Sequence, residues 1–185
     1  MKEITHQTVE ALNAGLDVVT QSPSDLGILD LIVRRPELLT RESLETGQLD
    51  IAQGLVGDSW AARPSKRTDD GSPHPDMQIT IINTRLISLV AQQKNRWQLA
   101  GDQLYIDMDL SDRNLPAGTR LSLGKAVIEI TDQPHTGCAK FTERFGLNAL
   151  RFINSPEGKS LRLRGIYAKT IQSGAISVGD VAVKL

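Results

Sequence analysis

The feature that most constrains the fold is a succession of short apolar runs in the second half of the chain. Residues 104–110, 120–131, 160–170 and 175–185 all have strand composition, and glycine-containing turns separate them. Within LSLGKAVIEI the apolar positions fall at Leu121 and Leu123, then change phase to Ala126, Ile128 and Ile130. A period-two pattern changes face only through a bulge or a tight turn, and Gly124 sits where one is needed. Ser173-Gly174 marks a second turn, after which Val181, Val183 and Leu185 alternate to the end of the chain. Short strands at this spacing present many edges, and closing the sheet removes them. The expected fold is mainly β: a closed, mostly antiparallel barrel with a few peripheral helices.

The first half supplies the helices. Val9, Leu12, Leu16 and Val19 lie near helical spacing behind Thr5 as a cap, which predicts one amphipathic helix over 5–20. GILDLIV at 27–33 has the length of a strand, and 41–57 reads as loop with a short strand. AARPSKRTDDGSPHPD at 61–76 holds three prolines and charges of both signs, and is expected as a long exposed loop. MQITII at 77–82 reads as a buried strand leading into a helix that carries Leu86, Leu89 and Val90 behind Asn83 or Thr84. The expected organisation is an N-terminal helical extension over 1–26 packed on a barrel domain over 27–185.

Composition narrows the function classes. With 185 residues, 39% of them hydrophobic, the chain fits one domain able to form its own core. Its 21 basic and 22 acidic residues give a net charge of −1, so no global cationic field is available for nucleic acid or an anionic membrane, and neither partner is expected. MKEITHQTVEAL lacks the apolar core of a signal peptide, and no run approaches the ~20 apolar residues of a membrane span. The single cysteine excludes an internal disulfide and zinc motifs built on paired cysteines, which suits a reducing, cytoplasmic setting.

That cysteine is also the centre of the chemistry. In QPHTGCAKFTERFG, at 133–146, Cys138 opens a short helix in which Phe141 and Phe145 share a face and Gly146 is the stop. A helix N-terminus favours a thiolate, and His135 and Lys140 are cationic or polarisable neighbours. A thiolate is both a nucleophile and a soft-metal ligand. Gly137 would let a ligand approach the backbone closely. The plainer readings are a small buried hydrophobe for Cys138 and a hydrogen-bonded surface group for His135. A zinc site would have to gather His74, His135 and Cys138 across long separations, without HExxH spacing. Lys159, Arg162 and Arg164 alternate with leucines in GKSLRLRG, which places the cations on one strand face, either solvated or holding an anion of phosphate or pterin type.

GLVGDSW at 54–60, GDQLYIDMDL at 101–110, LPAGTRLSLGKAVIEITDQPHTGC at 115–138 and the closing LRGIYAKTIQSGAISVGDVAVKL together resemble a MOSC domain, the module named after the C-terminal part of molybdenum cofactor sulfurase. The most specific part is the GxAxxEIT strand followed by the single cysteine. The resemblance implies a mostly antiparallel β-barrel whose functional residue, catalytic and metal-ligating, is Cys138. It also implies binding of the molybdenum cofactor (molybdopterin) or carriage of sulfur, with reduction of N-hydroxylated substrates as the associated activity. His135, Thr136, Gly137, Lys140, Arg144 and Arg164 are then the candidate cofactor-binding residues. The alternative is a non-catalytic sulfur-relay or binding module that docks on a redox partner protein. Pyridoxal phosphate is linked to the family only through the sulfurase's other domain and is not expected here. Related reductases carry Glu-Asn where this chain has Asp102-Gln103, and proline or arginine where it has Gly137.

Overall fold

The computed structural model describes residues 5–185. Positions 1–4 of the expected N-terminal extension lie outside them. Seven strands close a barrel in the order β1 (Gly27–Arg34), β11 (Val181–Lys184), β7 (Arg120–Leu123), β8 (Ala126–Ile130), β9 (Ile166–Gln172), β5 (Ile79–Asn83) and β6 (Leu104–Asp107), which returns to β1. Every neighbouring pair is antiparallel except β5 and β6. A short β2 (Glu42–Leu44) extends the sheet beside β1. β3 (Thr46–Asp50), β4 (Gly54–Leu55) and β10 (Gly174–Ser177) form a separate small sheet, and β2, β3 and β4 together put three short strands in the 41–57 stretch expected to hold one. The expected closed barrel is found.

The parallel pair follows from its connection. Parallel neighbours need a crossover, and here it runs through α2 (Thr84–Ala91) and a 3₁₀ helix (Lys94–Ala100). Asn83 ends β5 and caps α2, its Oδ1 accepting from the Leu86 amide at 2.9 Å. Residues of β5 and β6 alternate between two apolar layers. Ile79, Ile81, Leu104 and Ile106 fill the barrel interior, while Ile82 and Tyr105 enter a second cluster under the helices. That second cluster also receives Phe141 and Phe145 from α3 (Ala139–Phe145), whose rings lie 4.8 Å apart, and Ala149 and Ile153 from α4 (Leu147–Asn154).

α1 (Val9–Thr20) buries Leu12 and Val19 in this cluster and leaves Val9 half exposed. Thr8, not Thr5, is its cap, with Oγ1 accepting from the Ala11 amide. Gly15 lies so close to Leu89 that no larger residue fits without displacing that side chain. Among the described residues no helix is long and apolar enough to cross a membrane.

The expected strand over 160–170 begins later than the alternation suggests. Ser155 accepts from the Gly158 amide at 2.9 Å and Pro156 occupies the first helical position, so α5 (Pro156–Ser160) forms and a turn follows it. Arg162 takes a left-handed φ of 49° in that turn, and β9 starts only after Gly165, at φ 104°. Lys159, Arg162 and Arg164 therefore do not share a strand face. Gly124, with φ 56°, makes the β7–β8 turn that the phase change requires. A Cβ at Gly165 would collide with the Ile81 carbonyl oxygen. Gly165→Ala is expected to destabilise the protein by about 3 kcal/mol, from positive-φ strain plus overpacking, as measured by denaturant unfolding.

Candidate functional site

The 3₁₀ helix before β6 ends in carbonyl groups that no helical amide can satisfy, and arginines from three parts of the chain supply the donors. Arg144 Nη1 donates to the Leu99 carbonyl at 2.6 Å, Arg164 Nη2 to Ala100 at 3.2 Å and Arg35 Nη1 to Gly101 at 2.9 Å. Gly101, with φ 84°, turns the chain so that the next side chain, Asp102, points inward with 0% exposure. Arg164 Nη1 reaches both Asp102 oxygens, at 3.0 and 2.8 Å. Burial raises the Asp102 pKa, against the pull of Arg164. Arg35 forms a two-pronged pair with Asp58, both contacts at 2.8 Å. Gln103 ties this network to β5: its Oε1 accepts from the Thr80 amide and hydroxyl, and its Nε2 donates to the Gln78 carbonyl.

Two cavities flank the network. One, of about 410 Å³, is lined by Gln133, His135, Thr136, Asn154, Lys159, Arg162 and Arg164, among others. The other, of about 330 Å³, is walled by Arg35, Trp60, Arg63, Lys66, Arg67, His74 and Tyr167. His135 faces the first and Tyr167 the second, and their rings pack 4.5 Å apart, so this pair divides the two spaces. Arg67 Nη1 meets Gln133 Oε1 at 3.4 Å, which brings the 61–76 loop against the segment leading to Cys138. That loop is thus a wall of the site as well as a surface segment.

His135 is 9% exposed, with Nδ1 3.9 Å from Asp102 Oδ1 and no hydrogen-bond partner. Burial, reinforced by Arg164 and Arg35, holds its pKa well below the usual 6.5. The imidazole is accordingly neutral and buried, which leaves the polarisable neighbour of the expected alternatives and not the cationic or the surface group. Burial and the Asp102 charge raise the Tyr167 pKa.

Cys138 is exposed, which removes the reading of a buried core thiol. It occupies the cap position of α3, and its side chain makes no capping bond. Its backbone is clamped to α4 through its neighbour: the Gly137 amide donates to Asn154 Oδ1 at 3.0 Å, and Asn154 Nδ2 to the Gly137 carbonyl at 3.4 Å. Gly137 is small because Leu150 and Ile153 pack against it, so the expected ligand approach at this glycine is replaced by helix packing.

The predicted cofactor residues divide into two groups. His135, Thr136 and Arg164 come together at the larger cavity. Lys140 and Arg144 line neither cavity: Lys140 is exposed beside buried Phe141, and Arg144 is taken up by the Leu99 carbonyl. The sequence reading missed Arg35, Arg41, Asp58, Arg63, Arg67 and Tyr167 as site residues; Asp58 and Tyr167 lie inside segments quoted for the resemblance, GLVGDSW and LRGIYAKTIQSGAISVGDVAVKL, and no local motif marks the four arginines. Among the described residues, no three His, Cys, Asp or Glu side chains are placed to hold a metal ion together.

A MOSC domain family model matches residues 69–183, well over half of the chain. The chain belongs to the MOSC domain family. Solved structures with this fold include the YUAD protein from Bacillus subtilis, 16% identical with a TM-score of 0.64, the match covering 85% of this chain and 95% of that one. A second, described as a hypothetical protein, is 18% identical with a TM-score of 0.57, covering 86% and 68%. YiiM from Escherichia coli is 16% identical with a TM-score of 0.55, covering 85% and 69%. At these identities the likeness is one of fold. No curated protein matches the chain.

Two outcomes follow from the MOSC site's electrostatics. The unfolded chain takes up a proton at His135 near pH 6.5 and the native protein does so only well below it. Stability should therefore fall as pH drops below 6.5, by up to about 1.4 kcal/mol per pH unit, and His135→Gln should flatten that slope in pH-dependent unfolding. Asp102→Ala leaves Arg164 buried without its counter-charge and is expected to lower stability by about 3–5 kcal/mol in the same assay.

Proposed function

We propose that this MOSC domain binds the molybdenum cofactor, with Cys138 as the protein's sulfur ligand to the metal. The observation that carries the reading is a cavity ringed by more cations than its carboxylates neutralise, on a chain whose exposed thiol lies three residues beyond His135, which lines the adjoining cavity. Arg35 is paired with Asp58, but Arg63, Lys66 and Arg67 have no carboxylate partner among the described residues, and burial together with Arg35 lowers the Arg63 pKa. Such a ring suits the phosphate of an anionic pterin. Tyr167 and Trp60 offer flat faces for the ring system. The residues present fit the group: the metal would arrive with its own pterin ligands, and one soft protein donor, Cys138, completes the set.

When bound, the cofactor supplies a metal centre that exchanges two electrons with a substrate such as an N-hydroxylated base. The chain's own part is to hold it. Arg63, Lys66 and Arg67 fix the anionic end, the neutral His135 and Tyr167 form an uncharged partition, and Asp102 keeps Arg164 oriented.

The exposure of Cys138 outside both cavities favours one second reading, in which the thiol carries sulfur to or from a docked redox partner. One experiment separates the two. The protein is expressed in a host that makes the cofactor, and molybdenum, pterin and the mass of Cys138 are measured on fresh material. Cofactor binding predicts copurifying metal and pterin, with Cys138→Ala lowering molybdenum by at least about tenfold through loss of the thiolate ligand. Equal metal in Cys138→Ala removes the ligand role. Absence of both metal and pterin, with an extra sulfur atom on Cys138, establishes the carrier reading instead.

A further inference from the structure

We infer a second anion site, beside Gly101, in which Arg41 is the principal ligand and the occupant is a small oxyanion: a phosphate, or the carboxylate of an organic acid. Three other arginines around the 99–103 turn each bond to a carbonyl of the turn, and two of them also pair with a carboxylate. Arg35 is held by Asp58 and the Gly101 carbonyl, Arg164 by Asp102 and the Ala100 carbonyl, and Arg144 by the Leu99 carbonyl. Arg41 differs. Its one hydrogen bond is from Nη1 to the carbonyl of its own neighbour Thr40, and its Nε, like that of Arg164, is buried without a partner. No carboxylate pairs with it among the described residues. Burial, and after it the positive charges of Arg144, Arg35 and Arg63, push its pKa down.

A half-buried cation surrounded by cations is a costly arrangement unless something neutralises it. The geometry indicates where that group sits. A Cβ on Gly101 would lie 3.4 Å from Arg41 Nη2 and 3.8 Å from Arg144 Nη1, so two guanidinium groups converge on the bare face of this glycine. Planar guanidinium forks match the paired oxygens of phosphate and carboxylate. Arg41 lines neither of the two cavities, so this position is separate from the ring assigned to the pterin. The inference does not depend on that assignment.

The test is thermal unfolding and calorimetric titration of protein made in a host that lacks the cofactor. Inorganic phosphate, acetate and chloride are compared at constant ionic strength. Wild type should bind phosphate or acetate saturably and unfold at a higher temperature in its presence, and the stronger of the two identifies the class of occupant. Arg41→Gln should weaken binding at least about tenfold, as loss of a charge-assisted fork does. It should be no less stable than wild type in chloride, because it removes an uncompensated charge. In an Arg67→Gln background, which weakens phosphate binding at the cofactor ring, the dependence on Arg41 should persist. The site is overturned if no oxyanion binds saturably, if Arg41→Gln binds as wild type does, or if that variant loses the same stability in chloride as in the oxyanion. Because no cofactor is present, these outcomes are independent of molybdenum retention by Cys138.

Discussion

The arrangement of the site depends on how the end of one short helix is satisfied. A 3₁₀ helix that terminates inside the molecule leaves carbonyl oxygens pointing away from water, and each unpaired one costs on the order of 1–3 kcal/mol. In this chain Leu99, Ala100 and Gly101 each accept from a different arginine, and the following Asp102 fixes one of them a second time. The donors come from the end of β1, from α3 and from the turn before β9. One local requirement thus ties together segments that are 45 to 66 residues apart in sequence. It brings barrel, helical layer and cysteine segment into register.

The same requirement explains the charge of the site. Satisfying carbonyls with arginines imports positive charge, and only Asp58 and Asp102 answer it within the network. A fold selected for stability alone would use neutral donors, since clustered cations repel one another in a partly dry setting. The lowered pKa values of Arg41, Arg63 and His135 record burial first and that repulsion second. Concentrated charge of one sign around open space is the arrangement expected where binding an anion returns the energy.

The features legible in the sequence were those set by neighbours along the chain. The phase change at Gly124, the Asn83 cap and the Phe141/Phe145 face each depend on residues within four positions, and each is found. The cap position of Cys138 belongs to the same class. The strand assigned to 160–164 failed because leucine alternation and a helix start compete there, and Ser155-Pro156 wins through a bond to Gly158 that alternation does not reveal. The arginine cluster was illegible for another reason. Nothing around Arg35 or Arg41 announces a partner that lies some 60 residues away, and Gly137 looks like a ligand-approach glycine until Leu150 and Ile153 are placed against it.

The position of the site on the barrel departs from the pattern of open parallel sheets, where ligands gather at the carboxyl ends of strands because helix N-termini converge there and attract anions. Here the parallel pair β5 and β6 meets the site at its amino ends: Gln78 and Thr80 open β5, and Asp102 and Gln103 precede β6. What faces the site is the carboxyl end of the crossover, an electronegative terminus that would repel an anionic ligand left to itself. Arginines invert that sign. They cap the carbonyls with one edge, and only two of their charges are answered, by Asp58 and Asp102, so an electronegative helix end is covered by a net positive layer. On this view Gly101 and Asp102 act upstream of any ligand: the glycine aims the carbonyls and the carboxylate anchors the guanidinium. An anion bound here would therefore meet side chains recruited by a turn and not the backbone dipoles that serve in open sheets.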